Sequence, residues 1–379
     1  MNPAKIVTLD ARAFEESIAG SSAAQIAAHG DADFLARQDG AEFVAWSHAA
    51  ARAVLDDPDL AGERHLHTAQ ETGLGQAPQV IAAIAEMGRS IPLLISGAAH
   101  AHFRRLTTER YRAYAADMKE HSAPGIAALV ADLDRSLPAR DRRWLLSTHC
   151  NRVFVEASGL DEADRTLVLA LRDQMMTVDH QLRVKSMLHL QMSIVSLFAL
   201  LRRRRDAGTG IRAGSVLERV HVTDAPEDED EMVVSQGVVL FIAMNDLVPE
   251  ALFTIDDRLH AEPDLWPSLA AAPATITRFV EEAIRVGFRM SATVARRVPE
   301  ARDVAGCPFA TGARIVVNLA AAGVDPRVMD AATAFRPGPQ SPNHLLFGAR
   351  HRHCLGRWFT SWLGRRLIAE RLRQAGLTG

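Results

Sequence analysis

Phe347-Gly348-Ala349-Arg350-His351-Arg352-His353-Cys354-Leu355-Gly356 is the stretch on which the reading of this chain turns. A cysteine behind basic side chains and ahead of a glycine sits in a positive field, which favours the thiolate, the form of cysteine that binds metals. Three readings of Cys354 compete: a metal thiolate, a zinc ligand shared with His351 and His353, or a packing cysteine, since free cysteines are among the most buried residues. The zinc reading is weak. Its ligands are too crowded for the usual spacings, and no second cluster supplies a fourth.

The chain around this stretch has 379 residues, 48% of them hydrophobic, and a net charge of -3. That length suffices for a deep core in one large domain or two. The charge balance offers no basic surplus to neutralise phosphates, which argues against a nucleic-acid binder. The start, Met-Asn-Pro-Ala-Lys-Ile-Val, lacks the apolar core of a signal peptide, and no later run is expected to span a membrane, so the expectation is a cytoplasmic protein. Cys150, Cys307 and Cys354 are odd in number and widely spaced, which suits a reducing compartment. The first two read as packing residues.

Alanine, leucine and arginine dominate and strand-like alternation is scarce, so the chain reads as mainly α. Phe43 to Trp46 is the clearest early strand, with a helix over Ala49–Leu55. His100 and Arg104 are one helical turn apart and share a face; a solvated basic face is the plainer reading. Amphipathic helices follow between Ile126 and Asp206, where Met175, Met176, Met187 and Met192 read as core and the run Arg202–Arg205 as a solvated helix end. Pro226 to Glu231 reads as an acidic helix start. From Met232 to about Leu259 one long helix is apolar on nearly every side and therefore buried. Pro249 lies inside it. A proline there removes its own N–H and frees the carbonyl of Asn245, which bends the helix. Asp246 and Glu250 lie four apart beside that bend; Glu250 equally suits a pairing with a neighbouring helix. Glu282 and Arg285 are placed to pair across one turn. Gly306 to Val317 reads as a hairpin, a proline-rich meander around Phe335 follows, and Leu355 to Leu372 is helical.

The cysteine stretch resembles the ligand loop of the cytochrome P-450 family, the heme-thiolate monooxygenases, whose pattern is Phe, Gly, any, Gly, any, His or Arg, any, Cys, any, Gly. Phe347, Gly348, Arg352, Cys354 and Gly356 match, whereas Arg350 replaces the second glycine and implies a reshaped or strained turn. His100 and Arg104 resemble the propionate-binding pair of the family's helix C, without its preceding acidic and proline residues. Ala243-Met244-Asn245-Asp246-Leu247 stands where helix I carries Ala-Gly-any-Asp/Glu-Thr. Ala243 and Asp246 fit, while Leu247 replaces the threonine that helps carry protons for oxygen activation. Phe279-Val-Glu-Glu-Ala-Ile-Arg285 resembles helix K with its structural Glu-any-any-Arg. The meander arginine that usually completes that pair falls on Pro339, which leaves His344 as the expected substitute. Ala295-Arg-Arg-Val-Pro resembles the following strand, with Arg297 preferred over Arg296 as the propionate ligand.

These segments, in the family's order from Ser96 to the C-terminus, imply a cytochrome P-450 fold, a large helical domain with small β-sheets. One domain is expected over 1–379: a β-containing part over 1–95, then a helical core over 96–379 that binds heme b. The resemblance implies Cys354 as the axial metal ligand and His100, Arg104, Arg297, Arg352, Phe347 and Ala243 as cofactor contacts. Asp246, Asn245 and Glu250 are then the candidate catalytic groups. The implied activity is oxidation of a small organic molecule in bacterial secondary metabolism. Electrons would come from a ferredoxin and its reductase docking on a basic face furnished by Arg104, Arg105, Arg350 and Arg357. The rival readings are a peroxide-using or non-oxygenating heme enzyme and a catalytically silent heme-binding relative.

Overall fold

Both ends of the chain meet in one sheet. The computed structural model describes residues 4–19, 23–62, 95–134, 136–176, 183–207, 215, 227–288, 293–338 and 344–377. In chain order the first elements are strand β1 (Ile6–Leu9), helices α1 (Ala11–Ala19) and α2 (Ala23–His29), strands β2 (Phe34–Arg37) and β3 (Glu42–Ala45), helix α3 (His48–Asp56) and strand β4 (Ala61–Gly62). Six helices follow: α4 (Gly97–Ser122), α5 (Ile126–Asp132), α6 (Ala139–Ser158), α7 (Glu162–Met176), α8 (Arg183–Ala207) and α9 (Glu227–Ile242). A π-helical turn, Ala243–Leu247, joins α9 to α10 (Val248–Ala261). Then come α11 (Trp266–Ala271), α12 (Ala274–Gly287), β5 (Thr293–Arg297), β6 (Arg302–Val304), β7 (Cys307–Phe309), β8 (Arg314–Asn318), α13 (Leu319–Gly323) and α14 (Arg357–Gln374). The expected helical fold with small sheets is what the chain adopts.

The chain divides into two compact units, one made of Met1–Glu63 with Thr254–Gly379 and the other of Arg64–Phe253. In the first unit the sheet runs β1-β2-β3-β8-β5-β4, so a C-terminal strand lies between N-terminal ones. The period of two along each strand sorts side chains to two faces. Phe34, Ala45, Ile315 and Val317 enter one core cluster with Val54 and Leu55 of α3. Leu35, Val44, Val316 and Ala295 enter the other with Phe14 and Ala321. A third cluster packs Ile255 and Leu259 against Phe279, Val280 and Ile284 of α12 and against Ile368 and Leu372 of α14. Gly364 permits that approach, because a Cβ there would lie 2.7 Å from Ile255 Cδ1.

Three expectations need correction here. Gly306 to Val317 is not one hairpin: β6 pairs with β7, while β8 leaves them to pair with β3 and β5. The run Gln236–Ala261 does reach the length and apolarity of a membrane span, yet most of it is buried inside the protein, as in a core helix. In the second unit α9 buries Val234, Val238, Leu240 and Phe241, and Phe241 meets Phe154 of α6 edge to face at 5.9 Å. Arg204 is no solvated helix end: it pairs with Asp161, and with Asp164 in the first turn of α7. The side chains of the four singled-out methionines, and Pro226, lie outside the described residues.

Candidate functional site

The Cys354 loop is a tight turn ahead of α14. Its backbone closes with the Cys354 N–H donating to the Phe347 carbonyl at 2.6 Å and the Gly348 N–H donating to that of Leu345 at 2.7 Å. Gly348 has φ +70°, and a Cβ on it would lie 2.9 Å from the Arg352 carbonyl, so both conformation and space require glycine. Arg350 takes φ +42°. It keeps the left-handed conformation that glycine would adopt and carries the side-chain penalty with it. Its guanidinium reaches out to Asp56 at 3.0 Å. Cys354 is exposed, whereas Cys150 and Cys307 are buried; burial pushes the Cys150 thiol far up and that of Cys307 to about 11, with Asp303 adding to the second. The exposed sulfur precedes the N-terminus of an 18-residue helix, whose dipole favours negative charge there.

Two ion-pair networks brace this loop. Arg285 forks onto Glu282, both bonds 2.7 Å, with both side chains fully buried. Arg285 also donates to the carbonyls of Gly323, Ala332 and Ala334, and Glu282 accepts the Arg336 N–H at 2.9 Å. Backbone groups therefore complete the pair; His344 does not, which corrects the expectation. Instead His344 meets Glu281 at 3.2 Å, and Glu281 also accepts from Arg357 at 2.8 Å and from Ser361 at 3.0 Å. Burial alone would raise the Glu281 pKa, but bonding and charge from His344 and Arg357 outweigh it and hold it down to about 2. Arg357 continues to His353 at 3.2 Å and lies over the Phe347 ring at 5.6 Å. Glu281 and Ser361 were missed by sequence reading, which paired Glu282 with Arg285 and read Arg357 as part of a basic docking face.

On β5 the parity of the strand separates the two candidate arginines. Arg297 is half-buried and donates to the Gly312 carbonyl at 3.0 Å. Arg296 is 6% exposed, donates to its neighbour's carbonyl at 2.8 Å, and has its pKa lowered to about 10 by burial and then by the charge of Arg352. Burial lowers Arg352 as well. Among the described residues no carboxylate pairs with Arg296. The buried Arg296 guanidinium, under the charge of Arg352 from the Cys354 loop, offers N–H donors of the kind that the carboxylates of heme propionates fit. Arg296, the second choice from sequence, is the more buried of the two.

The second unit carries the other candidates. His100 is buried early in α4 and Arg104 half-buried one turn on. The turn Ala243–Leu247 is widened, the Val248 N–H donating back to the Ala243 carbonyl. Asn245 is buried with its side chain spent: Nδ2 donates to the Phe241 carbonyl at 2.8 Å and Oδ1 accepts from Asn151 at 2.9 Å. Glu250 is clamped by Arg143 at 2.6 and 3.0 Å. Ala243, Asp246 and Leu247 are each half-buried. Arg143, Ser147 and Asn151 of α6, all contacting this region, were not read from the sequence, though their spacing of four marks one helix face.

No family model matches the chain. It is 29% identical over 132 residues to cytochrome P450 105C1 of a Streptomyces species, a match spanning 35% of either chain. Among solved structures it resembles cytochrome P450 CYP109Q5 from Chondromyces apiculatus (TM-score 0.73, 16% identity, 97% of this chain and 90% of that one). It also resembles a mutant of P450 EryK in complex with erythromycin B (TM-score 0.70, 18% identity, 95% and 88%). A third is P450 RauA complexed with a biosynthetic intermediate of aurachin RE (TM-score 0.71, 15% identity, 88% and 84%). The chain therefore has the cytochrome P450 fold.

Proposed function

We propose that this chain is a heme-thiolate oxidoreductase that oxidises a small organic molecule. The observation that carries the reading is the exposed Cys354 in its braced loop, accompanied by the buried, carboxylate-free Arg296 beside Arg352. A heme b bound through that sulfur supplies oxidation chemistry, since a thiolate ligand pushes electron density toward iron and favours O–O cleavage. Cys354 would supply the thiolate that holds the iron and Arg296 and Arg352 would bind propionates, while His100 and Arg104 keep the propionate role that the resemblance gives them. Phe347 and Arg350 hold the turn. Of the groups on the π-turn, Asn245 has its side-chain amide committed to Asn151 and Phe241, Glu250 is held by Arg143, and Leu247 has nothing to donate. Asp246 is the acidic group within the turn itself, and the resemblance gives it the role of holding and passing a proton.

The molecules bound in the EryK and RauA structures, erythromycin B and a biosynthetic intermediate of aurachin RE, support a small secondary metabolite as the substrate class. Trp358, 59% exposed beside Arg357, suits the docking of a ferredoxin-type electron donor in the cytoplasm. The second reading, a peroxide-using or non-oxygenating heme enzyme, is favoured by Leu247. Turnover with NAD(P)H, ferredoxin and reductase, against turnover on hydrogen peroxide alone, separates them.

The primary test is the reduced carbon-monoxide difference spectrum of the hemin-loaded protein. Wild type should show the thiolate signature and Cys354→Ser should lose it. An unchanged spectrum in the variant removes Cys354 as the ligand.

A further inference from the structure

The face of α6 that carries Arg143, Ser147 and Asn151 meets the bend between α9 and α10 at three successive points. Arg143 clamps Glu250, Ser147 Oγ donates to the main-chain carbonyl of Asn245 at 3.0 Å, and Asn151 Nδ2 donates to the Asn245 side chain at 2.9 Å. The middle contact is the informative one. In a regular helix the Asn245 carbonyl would accept from the N–H four residues on, and that residue is Pro249, which has none. The carbonyl is deep in the protein: Asn245 is 1% exposed and Ser147 fully buried. A buried carbonyl left without a donor is costly, and the hydroxyl of Ser147 supplies the bond the proline removed.

We infer that Ser147 is a positioning residue whose hydroxyl replaces the missing N–H of Pro249. With Arg143 and Asn151 on either side, it holds the Ala243–Leu247 turn permanently open. The turn's three donors come from one helix at intervals of four, so the turn cannot return to the α register without breaking contacts with α6. Asp246 and Leu247 are presented by a fixed scaffold. The catalytic meaning of this lock rests on the proposed role of the turn above; the hydrogen-bond exchange itself does not.

The test is a double-mutant cycle of Ser147→Ala and Pro249→Ala, read by amide hydrogen exchange of the peptide spanning 241–252. Alanine at 249 restores an N–H, so Ser147→Ala should speed exchange about tenfold when Pro249 is present and less than about twofold when it is replaced. Equal effects in the two backgrounds overturn the inference. Should Ser147→Ala fail to fold while the double variant folds, the same conclusion stands in stronger form; failure of both overturns it. The C–O stretch of the reduced carbon-monoxide complex of the hemin-loaded protein is measured alongside. A coupled exchange effect with a shifted stretch supports both the lock and the role proposed above for the turn. A coupled effect with an unmoved stretch keeps the lock and removes the role proposed for the turn.

Discussion

Arg350 shows how a single residue departs from its family's pattern without departing from its geometry. The loop needs a left-handed residue there, and Arg350 supplies it at φ +42°, a conformation costing a side-chain-bearing residue roughly 1–2 kcal/mol. Arg350→Gly removes that cost but adds freedom to the unfolded chain, and it loses an exposed pair with Asp56 that is worth little. The expected net effect is a gain of about 0–1 kcal/mol, read from the urea midpoint; a loss above about 1 kcal/mol would show that the ion pair matters more than the backbone. Asp246 is the other residue on which the proposed function depends. Asp246→Asn should slow turnover at least about tenfold if its carboxylate passes protons, with the carbon-monoxide spectrum unchanged, and undiminished turnover would exclude it.

Helix α12 presents adjacent carboxylates to two different duties. Glu282 faces inward to Arg285, while Glu281 ties α12 to the start of α14 through Arg357 and Ser361. Because Glu281's pKa is depressed in the folded protein, its contribution is fully present above the usual carboxylate range and disappears as pH falls toward about 2. At neutral pH that contribution is at most about 3 kcal/mol, reduced by solvent screening of a side chain 18% exposed. Glu281→Gln should therefore be less stable than wild type at pH 7, with more than about half of the difference gone by pH 3. A gap that stays constant across that range would contradict the assignment. The networks on α12 divide by helical position: residues 282 and 285 share the buried face, and 281 sits at its edge.

For the sheet-bearing unit as a whole, Arg285 is the tie between segments far apart in sequence, since one guanidinium serves Glu282 and three carbonyls between Gly323 and Ala334. Arg285→Ala leaves Glu282 buried and unpaired, at a cost of about 3–5 kcal/mol. That is enough to threaten cooperative folding of a marginally stable domain. Urea unfolding should show a loss of that size or a protein that fails to take up hemin, and a change below about 1 kcal/mol would deny the pair its structural role.

The cysteine loop, the Glu282–Arg285 pair, the buried apolar helix and the backbone donor missing at Pro249 were legible in the sequence because each depends on local chemistry: glycine's conformational range, one-turn spacing, hydrophobicity all round, proline's missing N–H. Three-dimensional placement decided the rest. Whether Arg296 or Arg297 turns inward depends on strand parity, which is fixed only when β5 pairs with β8. That β8 leaves its apparent hairpin, that Glu281 and not Glu282 engages His344, and that a serine on α6 reaches the Asn245 carbonyl are pairings between segments remote in the chain. A sequence specifies what each segment can offer, and long-range packing selects which offer meets which partner.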